Sequence, residues 1–533
     1  MVAEYESKTA VQSEPAGQVD HIDHAPGLDH VVFNAHDAEV AAGEVLALVD
    51  TADMSCIGDL KLAKDHHTVL FPQPSSSPHD PLNWSWMRKH ALLASLCLGS
   101  FQCDFTAGII SAVVLQGAEW NLSPNKVNEA SSLNILMIGI GGFIWIPFIN
   151  FWGRAPVLFW TALLGFAFTL GCAVAPNFST YYAMRGLQST FQSSYLSVGL
   201  ACITDVFFFH EHARKIGIWI ACVLTAPYFG PIFSNFMLYY LVEWRPVTWM
   251  ITAVSGLNLV LTPFLIDESF YNRNLPAESQ PHRGNKISRI LGIWQIRNHS
   301  YFMPVGTAFL RYLKVCLKPL VILSFIYFLL AYMWFIGTGI AAPILLQTPP
   351  SYGGYGFSNK AVACMYFAPL VGVLLGESFG HFFNDWLALS YIKKHKGVFV
   401  PEVRLKASFL ATVFMVPGLI LLGQVLGKHL HWVGIAFGWG MYTFGACVTA
   451  VALFAYLSDS YPTASGECSA ILNLSRCMGG FAVGYFELPW GLKDGYPVSF
   501  GVQAALVVSS VFFLIAFMFF GKALRRWGGP VEH

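Results

Sequence analysis

Four ionisable groups stand inside long apolar runs of this sequence, most with polar neighbours at helical spacing. Asp104 lies in Phe101-Gln102-Cys103-Asp104-Phe105, with no cation close by in sequence. It reads either as a carboxyl that takes up and releases a proton or as a hydrogen-bonding partner for another helix. Arg185 is followed by Gln188, Gln192 and Tyr195 at i+3, i+7 and i+10, so the four share one helix face. A buried partner is the rival to a binding role, and Asp104 is one candidate. Glu377 is followed by His381 and Asn384 at i+4 and i+7, with Asp385 beside them. That row could relay protons or tie helices together. Arg476 stands one turn after Asn473 and just before Gly479-Gly480. It reads as a partner for Glu377 or as a group that binds an anion. Each such charge costs about 2.5–3.5 kcal/mol at membrane depth on insertion scales, so each needs a function or a partner.

Other chemistry is scarce. The sequence has no HExxH and no Gly-Lys-Ser/Thr phosphate loop; Lys428 and Lys522 follow glycine but lack the hydroxyl residue. The eleven cysteines scatter through apolar runs, as at Cys97, Cys172 and Cys222, form no CxxC pair, and read as packing residues. No enzyme activity, metal or cofactor is expected. His66-His67 and the earlier histidines read as part of a solvated tail.

The elements that must hold these residues are membrane helices. Of 533 residues, 55% are hydrophobic and only 12% charged, and mean hydropathy is +0.52; a soluble domain carries roughly 25% charged residues. Twelve stretches have the ~20 apolar residues that a bilayer core requires. The first six lie near 90–114, 128–149, 156–175, 180–205, 216–240 and 247–266. The last six lie near 319–345, 361–388, 407–426, 432–457, 464–489 and 497–521. Six, a polar break, then six is a repeat at half-chain scale. The expected fold is all-α: twelve transmembrane helices in two pseudo-symmetric six-helix bundles, residues 83–266 and 318–525. Residues 1–82, with fourteen Asp/Glu and three Lys, are expected to be a disordered acidic tail. Residues 267–317 form a central loop, in which Ile287, Ile290, Leu291 and Trp294 predict a basic amphipathic helix. Residues 526–533 form a short tail.

Lys and Arg set the orientation. With the N-terminus inside, the inner segments flanking the spans hold twenty-one of them and the outer loops five: Lys126, Arg245, Lys360, Lys428 and Lys493. Both termini are therefore expected on the cytoplasmic side. A net charge of zero names no partner such as nucleic acid.

Several strings resemble fungal proteins of the major facilitator superfamily, over roughly residues 80–525. Asp80-Pro81-Leu82-Asn83-Trp84-Ser85 is similar to the entry to their first span. Gly153-Arg154-Ala155-Pro156-Val157 resembles the loop called motif A, and Arg185-Gly186-Leu187-Gln188 motif B. Ala226-Pro227-Tyr228-Phe229-Gly230-Pro231 resembles motif C of the drug:proton antiporters. Phe208-Phe209-His210-Glu211-His212-Ala213-Arg214-Lys215-Ile216-Gly217 resembles the stretch before span five. Asn384-Asp385-Trp386-Leu387, Pro401-Glu402-Val403-Arg404-Leu405, Gly466-Glu467, Asn473 and Arg476 match in the second half. The chain departs from the family at Asn150, Ala155 and Ala226, which thins the inner charge cluster and alters the start of motif C.

The resemblance implies two bundles around a cavity that opens alternately to each side, in a single chain, with a small organic substrate, protons and lipid as partners. Proton coupling falls to Asp104, Arg185 and Glu377. Gln188, Gln192, Tyr332, Trp334, Tyr442, Asn473 and Arg476 are expected at the cavity, and Arg154, Asp205, Glu211, Arg214, Pro227, Gly230, Pro231 and Asp385 at gates. Proton-coupled efflux at the plasma membrane is the leading expectation. Uptake of a polar or cationic nutrient and a non-transporting sensor are the alternatives.

Overall fold

A bilayer offers backbone N–H and C=O groups no partner but each other, so apolar runs of this length settle as helices. The computed structural model describes residues 45–46, 74–273, 275–350, 354–395 and 398–531. Among them, ten helical stretches of 20 to 36 residues are apolar enough to cross a membrane. In chain order they are α1 (Trp86–Trp120), α2 (Pro124–Trp152), α3 (Arg154–Ala173), α5 (Arg214–Leu241), α6 (Arg245–Leu265), α7 (Pro319–Gln347), α8 (Asn359–Lys394), α9 (Pro401–Gly427), α10 (Val433–Ser460) and α12 (Tyr496–Gly528). Two further helical segments take the remaining places: α4, in pieces Phe178–Gln192 and Ser194–Val206, and α11, Ser465–Asp494. These two are less apolar because they carry Arg185, Gln188 and Gln192, or Glu467, Asn473, Arg476 and Glu487, all of them buried. Buried charge is not confined to these two, since Asp104 on α1 and Glu377 on α8 are buried as well. The architecture is the expected all-α one, with six spanning helices in each half.

Two seams join the halves. Along one, α2 lies on α11: Ser132 meets Gly484, Gly139 meets Cys477, and Ile146 lies near Gly466. Along the other, α5 lies on α8: Gly217 meets His381, and the Tyr228 and Tyr366 rings stand 6.5 Å apart. Pseudo-symmetry shows in one repeated ion pair. Arg154 opens α3 and reaches Asp205 at the end of α4, Nε to Oδ2 3.0 Å; Arg404 opens α9 and reaches Asp459 at the end of α10, 2.5 Å.

Four boundaries differ from the sequence expectation. The tail does not extend to 82: from Pro74 the chain is folded, because Asp80 is fully buried, caps Leu82 N–H at 3.0 Å and pairs with Arg273 at 3.1 Å. The tail histidines, His66-His67 among them, lie outside the described residues. The amphipathic helix of the central loop is broken in two, Lys286–Leu291 and Ile293–Arg297, by Gly292 at φ +87°; Ile290 and Trp294 are buried while Ile287 is exposed. The strongly two-faced helix of this loop is instead Val305–Cys316. Finally, α12 runs on through Gly528, with Arg525 held inside by Glu402.

Candidate functional site

The site forms where α1 stops being a regular helix. After Phe105 the chain tightens into a 3-10 stretch, Thr106–Ala112, before resuming as Val113–Trp120. A mid-helix 3-10 turn of this length is unusual and marks a place held by its neighbours. The neighbour is α5. Gly108 and Gly230 cross backbone to backbone: a Cβ on Gly108 would sit 2.5 Å from the Gly230 carbonyl, and one on Gly230 would strike the Phe105 carbonyl oxygen. Gly230 is therefore a close-contact residue. Pro227 and Pro231 flank it inside α5 and line the cavity wall.

This crossing sets Asp104 at the cavity edge, and its partner comes from the other half of the molecule. Arg476 Nη2 donates to Asp104 Oδ2 at 3.2 Å, and Arg476 Nε donates to Asn473 Oδ1 at 2.7 Å. Both charged side chains are under 10% exposed. Arg185 does not pair with Asp104. Its Nη1 donates to Gln188 Oε1 at 3.0 Å and its Nη2 to the Thr106 carbonyl at 2.6 Å. Nor does Arg476 pair with Glu377, whose Oε1 lies 2.8 Å from His381 Nε2 at the α5–α8 seam.

Asp104, Arg185 and Arg476 line one cavity between the halves, with Ser131, Asn134, Tyr228, Phe335 and a set of isoleucines on its walls. Buried tyrosines normally find a partner, yet the Tyr228 hydroxyl has none among the described residues. Of the residues expected at the cavity, only Arg476 is on its wall. Gln188 supports Arg185 from behind, and Gln192 donates to Thr169 on α3 at 2.9 Å. Tyr332 stacks between Phe328 and Phe335 on its own helix, Trp334 meets Phe486 edge-on, and Tyr442 donates to the Ala331 carbonyl. Asn473 orients Arg476.

Ion pairs cluster on the face where α3 and α9 begin. Arg154 is held by Asp205, and a residue the sequence reading missed, Glu268, accepts from the backbone N–H of Arg154 (3.1 Å), Ala155 (3.3 Å) and Phe270 (3.0 Å) and from Gln295 (2.8 Å). Gly153, at φ +88°, makes room: a Cβ there would lie 2.5 Å from Glu268 Oε2. Glu268 brings to this loop a negative charge that Asn150 does not carry; it does not replace a basic side chain at Ala155. Its neighbour Asp267 binds Arg88 at 2.5 Å and Arg289 at 2.8 Å. Burial pushes the Asp267 carboxyl up, but Arg289 and then Arg88 outweigh it and hold it below the usual carboxylate range. Two acids directly after the last apolar residue of α6 were the available signal. In the second half Asp385 lies 3.8 Å from Arg404. Glu211 and Arg214 form no ion pair among the described residues. A second missed acid, Glu487, lies three turns beyond Arg476 on α11; it is buried, with neither oxygen bonded among the described residues, and lines a separate apolar cavity in the second half.

One string needs a negative assignment. Gly376-Glu377-Ser378-Phe379-Gly380 has the GxSxG letters of a hydrolase nucleophile turn. That turn joins a strand to a helix, whereas these residues lie inside unbroken helix.

A twelve-helix bundle with a charged cavity between its halves agrees with the comparison to known families: the profile described as Major Facilitator Superfamily matches residues 96–485. The chain belongs to the major facilitator superfamily. It is similar to the major facilitator superfamily multidrug transporter mdrA of Aspergillus fumigatus, at 23% identity over 87% of this chain and 76% of that protein. It is also similar to the efflux pump radE of Floropilus chiversii, at 23% identity over 88% of each. Among solved structures, the proton:xylose symporter XylE superposes with TM-score 0.57 at 13% identity, over 82% of this chain and 96% of that one, a likeness of fold. The chain is thus a multi-pass membrane transporter of a family that carries small molecules.

Proposed function

We propose that this transporter exports a small organic compound in exchange for protons by alternating access, with the Asp104–Arg476 pair as its coupling element. The observation that carries the reading is that this pair joins a helix of each half across the cavity. While Asp104 is ionised, its attraction for Arg476 holds the halves together. Protonation removes that attraction and lets the halves part; exchange requires the substrate to bind while Asp104 is ionised, so that proton and substrate occupy the carrier in turn. The halves, residues 83–266 and 318–525, then rock about the site. The two Arg–Asp latches on the terminus face open in one state and close in the other.

The efflux and multidrug names of the two relatives support export. The Lys/Arg asymmetry supports cytoplasmic termini, and with export it supports the plasma membrane. One chain supplies every wall of the cavity, which supports a monomer. Uptake of a cation through this cavity is disfavoured: free acids would suit it, but Asp104 is engaged by Arg476 and Glu377 by His381, and the unbonded Glu487 lines the other cavity. The test uses proteoliposomes and a compound that accumulates in cells lacking the protein. Asp104→Asn should abolish pH-driven accumulation while counterflow exchange persists. Normal uphill accumulation by the Asn variant would remove Asp104 from the coupling role.

A further inference from the structure

We infer that the cavity takes an organic anion, whose charged group sits at Arg185 and whose apolar body lies against Phe335, Ile336 and Ile340. This rests on the carrier reading of the same cavity.

Formal charge leads there. Three ionisable residues with full charge line the cavity: Asp104, Arg185 and Arg476. Asp104 and Arg476 cancel. Arg185 is 1% exposed and no carboxylate lies within 4 Å of it among the described residues. Its guanidinium has five N–H donors, and only two protein acceptors meet it, the neutral Gln188 Oε1 and the Thr106 carbonyl. A buried cation without a counter-charge is unfavourable. The other buried acids of the spans do not relieve it, since Glu377 is at the α5–α8 seam with His381 and Glu487 lines a different cavity. The side chains that line the cavity therefore carry a formal excess of one positive charge, which a bound monoanion neutralises. Arg is also the side chain whose planar fork matches a carboxylate or sulfonate edge to edge. Tyr228 adds an unused hydroxyl on the same wall. The remaining lining is mostly aliphatic and aromatic, the kind of wall that takes the apolar body of a small ligand.

The test uses the full chain, purified in detergent and in proteoliposomes, with three probes of one shape: 2-naphthoate, 2-naphthamide and 2-naphthylmethylamine at neutral pH. Binding is read as quenching of tryptophan fluorescence and as thermal protection. The naphthoate should bind at least about tenfold more tightly than the amide, about 1.4 kcal/mol, and the amine more weakly still. Arg185→Gln should erase that preference, and Arg185→Lys, which keeps the charge, should retain most of it. Equal or tighter binding of the amine by the unaltered chain overturns the inference, whatever the variants do. So does a preference for the anion that survives in a folded Arg185→Gln protein. Failure of the carrier reading looks different: the naphthoate binds but shows no counterflow. Counterflow of the amine alone keeps the carrier and rejects the anion.

Discussion

The ion pair that spans the cavity can be weighed by removing its partners singly and together. Two unit charges 3.2 Å apart attract by about 5 kcal/mol at an effective dielectric of 20, and both side chains are buried enough that solvent screens little of this. Desolvation offsets part of the gain. Removing one partner of such a pair costs about 3–5 kcal/mol, because the other charge is left stranded. Arg476→Gln should therefore be strongly destabilising. Asp104→Asn should cost less, because the Asn carbonyl still accepts from Arg476 and Asn473 still holds Nε. The double variant should recover part of the loss, with a coupling energy on the order of 2–3 kcal/mol. Thermal unfolding in detergent, followed by the sixteen tryptophans, completes the cycle. Additivity within about 0.5 kcal/mol would mean that the two groups do not act on each other, and the coupling element would be lost.

Two further outcomes follow from contacts elsewhere. Gly230→Ala puts a methyl into the Phe105 backbone, which cannot swing away as a side chain could; a loss of about 1–3 kcal/mol is expected, and combined with Gly108→Ala it should be less than additive, as both strain one crossing. At the terminus face, Asp267 is held below its ordinary range by Arg289 and Arg88. A depressed carboxylate contributes stability above its unfolded value of about 3.9, and that contribution is lost as pH falls through the folded value. The unfolding midpoint of the unaltered chain should fall toward that of Asp267→Asn as pH drops from 7 to about 3; a constant gap across that range would place the stabilisation elsewhere.

The sequence made the helices and their charges legible, but not the choice of partners. Apolar runs located every span, and Asp104, Arg185 and Arg476 stood out because a charge in such a run is costly. Nothing local tells Asp104 that its partner is 372 residues away, or that Arg185 meets only neutral acceptors among the described residues. Helical spacing put Gln188 and Gln192 on the Arg185 face, but a face spans enough angle for Gln192 to turn toward α3. Aromatic content does not separate wall from core, and on this cavity it is Tyr228 and Phe335, not Tyr332, Trp334 or Tyr442, that stand on the wall. The central-loop helix failed at Gly292, where a positive φ interrupts a periodic pattern.

Cys477 offers the most direct measurement. Its thiol lines the cavity beside Arg476 and is buried in this closed form. A hydrated passage between moving halves predicts slow labelling of Cys477 by a membrane-impermeant methanethiosulfonate from either face of sealed vesicles, with the site assigned by mass spectrometry. A cavity permanently walled off would leave Cys477 unmodified from both faces in folded, membrane-embedded protein, and alternating access would be contradicted.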